Sequence, residues 1–243
     1  MGLIKSALKK LLATFLFFCT DRELGMLRFE LTSYVKRRTT GPLVFLPDQT
    51  NYIDLGSGSV RHPGFTSIDF FNVPNVHYAA DLRYPLRIGN DTTNGIFTEH
   101  VFEHLTYAEV DRMLAECYRV LKPGGSIRII VPDISIFAKN YAAGNSAWFD
   151  EWENMMFKNS TDAERAQRRL VTPMSAISFV TQEYGHVSCW DFDTMAHYLA
   201  RNGFVQIRQS AYRDSLDPML AIDLDAPDRR YVSLFVDACK PSK

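Results

Sequence analysis

The sequence predicts an α/β domain built on a doubly wound, mostly parallel sheet of seven strands, and two observations carry that expectation. From Asn51 onward, short apolar runs alternate with helical patterns, the arrangement that parallel strands joined by crossover connections produce. The glycine-bearing turn Asp54-Leu55-Gly56-Ser57-Gly58 then follows the first of those runs directly, where sheets of this kind gather their ligands. At 243 residues, 46% of them hydrophobic, the chain can bury a sizeable core.

In chain order, the strand candidates are Tyr52 to Leu55, Thr66 to Phe70, His77 to Ala80, Gly95 to Glu99 and Ser126 to Val131. A periodic helix, Tyr107 to Leu121, separates the last two and stops at Lys122-Pro123-Gly124-Gly125, where proline and glycine cannot continue it. Residues 134–190 read as a long irregular insertion rich in Trp, Met and other aromatics, placed where a substrate lid would sit. The end of the chain reads as a helix (Phe192 to Asn202), a strand (Phe204 to Gln209), an Asp-rich loop and a final strand (Tyr231 to Cys239).

Ahead of this domain, residues 1–45 form an extension. Ile4, Leu8, Leu11, Phe15 and Phe18 fall at helical spacing, with Lys5, Ser6 and Lys9 opposite, so residues 1–20 predict a basic amphipathic helix. It suits a lid helix, an interfacial membrane anchor or a secretory signal, in that order, since no small-x-small cleavage site follows. Residues 21–40 continue as a second helix, and Gly41-Pro42 and Pro47-Asp48 punctuate the entry to the main domain, 46–243.

Composition excludes several classes. A formal charge of -1 gives no overall field for nucleic acid. Four scattered cysteines with no CxxC pair argue against a zinc finger or disulfide scaffold and for a reducing, cytoplasmic setting. No apolar run reaches the roughly 18 residues of a membrane span, which leaves only peripheral contact through residues 1–20.

The glycines at 56 and 58 let the backbone turn sharply and keep side chains from between it and a ligand. A GxGxxG fingerprint is absent, because Arg61 stands at its third glycine, and no helix start follows to receive a pyrophosphate. NAD is therefore disfavoured. Asp69 ends the second strand, where a carboxylate accepts both hydroxyls of a ribose, and Asp81 after the third can meet an adenine amino group.

With these residues in view, the strings Asp54-Leu55-Gly56-Ser57-Gly58, His62-Pro63-Gly64-Phe65-Thr66-Ser67-Ile68-Asp69, Thr98-Glu99-His100-Val101-Phe102-Glu103-His104-Leu105, Arg119-Val120-Leu121-Lys122-Pro123-Gly124-Gly125 and Val131-Pro132-Asp133 resemble class I S-adenosylmethionine-dependent methyltransferases. The likeness runs from about Asn51 to Lys240 and is greatest to a bacterial-type subgroup found near cell-surface glycan genes. It implies the Rossmann-like methyltransferase fold with an antiparallel last strand. It also implies S-adenosylmethionine as cofactor, held by Asp54, Gly56, Ser57, Gly58, Asp69, Phe70, Asp81, Leu82, Glu99 and His100. Two departures stand out: Val60 replaces the third glycine of DxGxGxG, and only ten residues separate Gly58 from Asp69, too few for the usual first helix.

The expected reaction is in-line transfer of a methyl group to an acceptor hydroxyl on a small molecule, sugar or glycan. Positioning contributes most, and a general base adds roughly 10²–10⁴-fold. His100 and His104 lie four residues apart, which on a helical turn places both toward the cofactor cleft. Similar sugar O-methyltransferases place a histidine base here, nearest His104, leaving His100 as a wall of the methionine pocket. Asp133, ending the fifth strand, can orient the base, and His186 is a third candidate, whereas His62 and His77 read as pointing elsewhere. The pair also suits metal ligation with Glu99, Glu103 or Asp133, although the expected site contains no metal. The rival functions are a lipid or small-molecule methyltransferase at a membrane surface and a silent cofactor-binding module.

Overall fold

A computed structural model describes residues 20–242, apart from 47, 72, 159, 162, 163 and 165–171. The amphipathic pattern before Thr20 therefore lies outside the described residues. The chain divides into two compact units, Met1–Gly41 and Pro42–Lys243. In the first, α1 (Asp21–Thr39) opens on a capping box, with the Thr20 hydroxyl accepting from the Glu23 amide and the Glu23 carboxylate accepting from the Thr20 amide. Lys36, Arg37 and Arg38 in its last turn offset the negative end of the helix.

The second unit runs β1 (Tyr52–Leu55), β2 (Phe65–Asp69), β3 (Tyr78–Ala79), β4 (Thr93–Glu99), α2 (Tyr107–Val120), β5 (Leu121–Pro132), α3 (Ile134–Ala142), α4 (Ser146–Met156), α5 (Pro173–Gln182), α6 (Phe192–Arg201), β6 (Val205–Gln209), α7 (Pro227–Val232) and β7 (Ser233–Cys239). The strands form one seven-stranded sheet in the order β3-β2-β1-β4-β5-β7-β6. All are parallel except β7, which runs antiparallel to both β5 and β6. This is the mostly parallel, Rossmann-like sheet that the sequence predicts, and among the described residues no helix interrupts the chain between β1 and β4.

Central strands of such a sheet are apolar on both faces because both are covered. Ile53, Leu55, Ile68, Ile96, Ile127 and Ile129 belong to one core, joined by Val110, Met113, Leu114 and Cys117 from the buried stripe of α2. Tyr52, Phe97, Ile130 and Phe235 face the other side with Leu220. Each fully buried aliphatic side chain contributes about 1.5–3 kcal/mol, so α2 is held by its stripe more than by its intrinsic propensity.

Three expectations change. The described part of 134–190 is not irregular throughout but carries α3, α4 and α5, whose Phe137, Phe149, Trp152 and Phe179 pack together with Val232 as a second small core. Their aromatic content is helical spacing around a shared centre. The β5 strand begins already at Leu121, with a register irregularity opposite Thr93 and Gly95 that absorbs the Lys-Pro-Gly-Gly stop. Residues expected to open the last strand form α7 instead, with Pro227 at its start. Among the described residues, no helix is long and apolar enough to cross a membrane.

Candidate active site

The strand order reverses between β1 and β4, and a doubly wound sheet opens a crevice at such a switch point. The Gly56 to Gly58 turn leaves β1 on one side of it, and Glu99 and His100 end β4 on the other. Gly56 and Gly58 have φ of +76° and +56°, a region that costs other residues steric strain. A Cβ at Gly56 would also overlap the Val101 side chain, whereas one at Gly58 would meet nothing within 4 Å. The first glycine is thus required by packing, and the second leaves an open backbone face. The resulting cleft has a volume of about 270 Å³ and is lined by residues including Asp54, Ser57, Gly58, His62, Glu99, His100 and Arg229.

The cleft is acidic. Burial, then the nearby Glu99 and Asp69 charges, push the Asp54 carboxyl up to about 7. Glu99 accepts from the Leu224 amide at 3.1 Å and lies 3.8 Å from the Arg229 guanidinium. Asp69 is buried and uses both oxygens to shape the turn, accepting from the Gly58 amide at 2.9 Å and the Phe71 amide at 2.8 Å. Asp81 is also buried and is paired with Arg83 at 2.7 Å. Among the other expected cofactor residues, Ser57 lines the cleft with its hydroxyl lacking a hydrogen-bond partner among the described residues, Leu82 packs into the main core and the Phe70 ring meets Phe71 edge to face.

His62 corrects the reading that it points away. Its segment folds back over the sheet, its ring packs against Phe65 and Phe97, and Nε2 stands 3.8 Å from Asp54. Burial lowers its pKa and so disfavours the charged ring. His77 does lie apart, with Nδ1 accepting from the Ser67 amide.

A second cavity of about 570 Å³ adjoins, lined in part by His100, Glu103, His104, Trp152, His186 and Arg229. The two expected histidines do not share a helical turn. His100 is held at φ +54° with Nε2 3.0 Å from the Ser233 hydroxyl, and His104 ends a 3-10 turn, Phe102–His104. His186 joins them through backbone pairing, since the Val187 and Ser188 amides donate to the Glu103 carbonyl at 2.8 and 3.2 Å. The His104 and His186 ring centroids are 4.7 Å apart. His186 Nδ1 lies 2.7 Å from the Val180 carbonyl, which can only accept, so Nδ1 carries the proton and Nε2 faces Glu103 at 3.9 Å.

Glu103 is 2% exposed, and neither carboxylate oxygen has a hydrogen-bond partner among the described residues. His100 Nδ1 approaches at 3.2 Å as an ion-pair contact. Burial raises the pKa of Glu103, but His100 and the charge of His104 outweigh it and hold the carboxyl below its ordinary value. Burial lowers that of His104, against the opposing pull of Glu103. Asp133 lies elsewhere: its carboxylate caps α3 through the Ser135 amide at 2.9 Å, and it lines neither cavity.

A family described as a methyltransferase domain matches residues 71–129, the segment that carries Glu99, His100, Glu103 and His104. That match and this sheet order support a class I methyltransferase using S-adenosylmethionine. No curated protein sequence matches the chain. Among solved structures, the chain is similar to an S-adenosylmethionine-dependent methyltransferase from Archaeoglobus fulgidus (12% identity, 87% of this chain and 94% of that one, TM-score 0.44). It is also similar to phosphoethanolamine N-methyltransferase 2 of Haemonchus contortus solved with S-adenosylmethionine (13% identity, TM-score 0.42), covering 86% of this chain but only 52% of that one. A third is the complex of the Haloferax volcanii Trm112 methyltransferase activator with a methyltransferase (12% identity, 90% and 93% coverage, TM-score 0.43).

The donor set of the cleft fits S-adenosylmethionine. A sulfonium and an ammonium are cationic, and the Glu99 and Asp69 charges oppose ionisation of Asp54 until such a charge arrives. The anionic pyrophosphate of a dinucleotide would meet the same carboxylates as like charges.

Proposed function

We propose that this chain transfers a methyl group from S-adenosylmethionine to a hydroxyl of a sugar or glycan seated in the larger cavity. One observation carries the reading: His100 and Arg229 line both cavities, so the acidic cleft gives onto a chamber that holds Glu103, His104 and His186. The bound cofactor supplies an electrophilic methyl carbon. Asp54 and Glu99 face its cationic end, and Asp69 fixes the glycine turn while keeping lone pairs for a ribose. His104 activates the acceptor. A sugar hydroxyl has a pKa far above neutral, and a histidine whose pKa is lowered by burial keeps its lone pair available at pH 7.

Calorimetry tests the cofactor: S-adenosylmethionine and S-adenosylhomocysteine bind, and NAD does not. Tight NAD binding with no response to either sulfur nucleoside would overturn the assignment. In the transfer assay with labelled cofactor and candidate glycans, His104→Ala lowers kcat by roughly 10²-fold or more with cofactor affinity nearly preserved. Asp69→Ala weakens cofactor binding by about 1.5–3 kcal/mol, the worth of hydrogen bonds to a charged group. Near-normal turnover by folded His104→Ala would take the activating role from that residue.

A further inference from the structure

We infer that Glu103, His104 and His186 form a binding site for one divalent transition-metal ion of the zinc class. One ligand atom from each of the three lies within 4.8 Å of the others. Two imidazoles and a carboxylate are the donor set that such ions take with open positions remaining, and imidazole disfavours magnesium and calcium.

Three further features point to a ligand. Glu103 is almost wholly buried, and both its oxygens lack hydrogen bonds among the described residues. His100 Nδ1 stands 3.2 Å from Oε1, which leaves Oε2 without a hydrogen bond or ion pair among the described residues, and a bound cation supplies the partner that a buried carboxylate oxygen needs. The His186 ring is oriented from behind: its Nδ1 proton goes to the Val180 carbonyl, which turns the Nε2 lone pair toward Glu103. Outer hydrogen bonds of this kind fix the tautomer and orientation of metal-binding histidines. Finally, the ligands come from two segments pinned together by the Val187 and Ser188 amides on the Glu103 carbonyl, so the donors are brought together by the backbone. Donors around a tetrahedral ion with bonds of about 2.0 Å stand about 3.3 Å apart, so small side-chain rotations complete the site.

The three residues line the larger cavity, so an ion held by them would adjoin the proposed acceptor. The ion deepens the methyl-transfer reading, on which its role there rests: His104 becomes a ligand, and the ion polarises the acceptor oxygen. Binding itself does not depend on that reading.

The test is titration of the full chain, stripped with a chelator, with zinc chloride and with cobalt chloride. One ion binds per chain, cobalt gives visible ligand-field bands, and its paramagnetism shifts the ring protons of His104 and His186 but not those of exposed His197. Glu103→Gln and His186→Ala, checked for folding by circular dichroism, lose at least about 100-fold in affinity, since even outer-shell partners cost 10- to 100-fold. His197→Ala binds as the parent does. No stoichiometric binding of either ion, or cobalt shifts that miss His104 and His186, overturns the inference, as does unchanged affinity in the folded variants. Ion binding by a chain that transfers no methyl group leaves the site standing and removes only the methyl-transfer reading. Transfer by a chain that takes up no ion does the reverse.

Discussion

Asp54 is the residue at which stability and ligand binding pull in opposite directions. Its carboxyl titrates at about 7 in the folded chain against an ordinary value of 3.8, because burial and the Glu99 and Asp69 charges oppose ionisation. A folded-state pKa raised for an acid means that the folded chain binds the proton more tightly than the unfolded one. Stability without ligand is therefore full below about pH 4, falls as pH rises toward 7, and stays reduced above it. The loss is at most about 4 kcal/mol at 1.36 kcal/mol per unit. Asp54→Asn keeps the shape and removes the titration. Urea denaturation at pH 8 should show the variant more stable than the parent, with the two converging at pH 4, and parallel curves at all pH values would refute the assignment. Cofactor affinity should move the other way, increasing from pH 6 to 8 in the parent and flattening in Asp54→Asn. The placement of Asp54, Gly56 and Gly58 at the strand end, with Asp69 closing the turn, was legible because strand-turn-acid order is local. His62 was not, since its place is set by packing on Phe97, far along the chain.

At the scale of elements, α2 holds the chamber wall in place. Thr106 caps it reciprocally with Glu109, and it starts directly after the turn that ends in His104. Thr106→Ala removes one half of that box and should cost about 1 kcal/mol by thermal or chemical denaturation. A loss close to zero would mean that the Glu109 carboxylate alone fixes the start. The helix was legible from its apolar stripe and its Pro-Gly stop, and the strands from their continuous apolar runs. The three described helices within 134–190 were hidden because what fixes them is a shared core rather than a simple period: Trp148, Phe149, Trp152 and Phe157 pack with Phe137 and Phe179, and Val232 joins them from beyond the segment. His186 was legible as a chemical group, but the pairing of its loop with Glu103 is a non-local backbone contact that no short-range signal announces.

Across the whole domain, one buried arginine ties the reversed strand to the rest of the sheet. Arg128 sits between Ile127 and Ile129 on β5, is fully buried, and is the register partner of Asp237 on β7. Its guanidinium donates to both oxygens of Asp223 at 2.7 and 2.6 Å, to Asp237 at 3.0 Å, to the Ser210 hydroxyl at 3.0 Å and to the carbonyls of Ala211 and Asp214. Apart from Asp237, those acceptors belong to the Asp-rich loop that read only as a polar connection in the sequence. The loop thereby becomes a plug over the sheet face, and its far end delivers the Leu224 amide to Glu99 in the cleft. Arg128→Met fills much of the same volume but leaves buried Asp223 without its cation and Asp237 with only the Arg208 guanidinium at 3.9 Å, and removing one partner of a buried pair costs about 3–5 kcal/mol. Replacing Asp223 and Asp237 with Asn in the same chain removes the stranded charges and should restore part of that loss. The comparison separates charge from packing. Denaturant midpoints for the parent, the single variant and the triple variant decide the matter, and a single-variant loss below about 1 kcal/mol would show that solvent reaches Asp223 and Asp237 and that the network is not what secures β7.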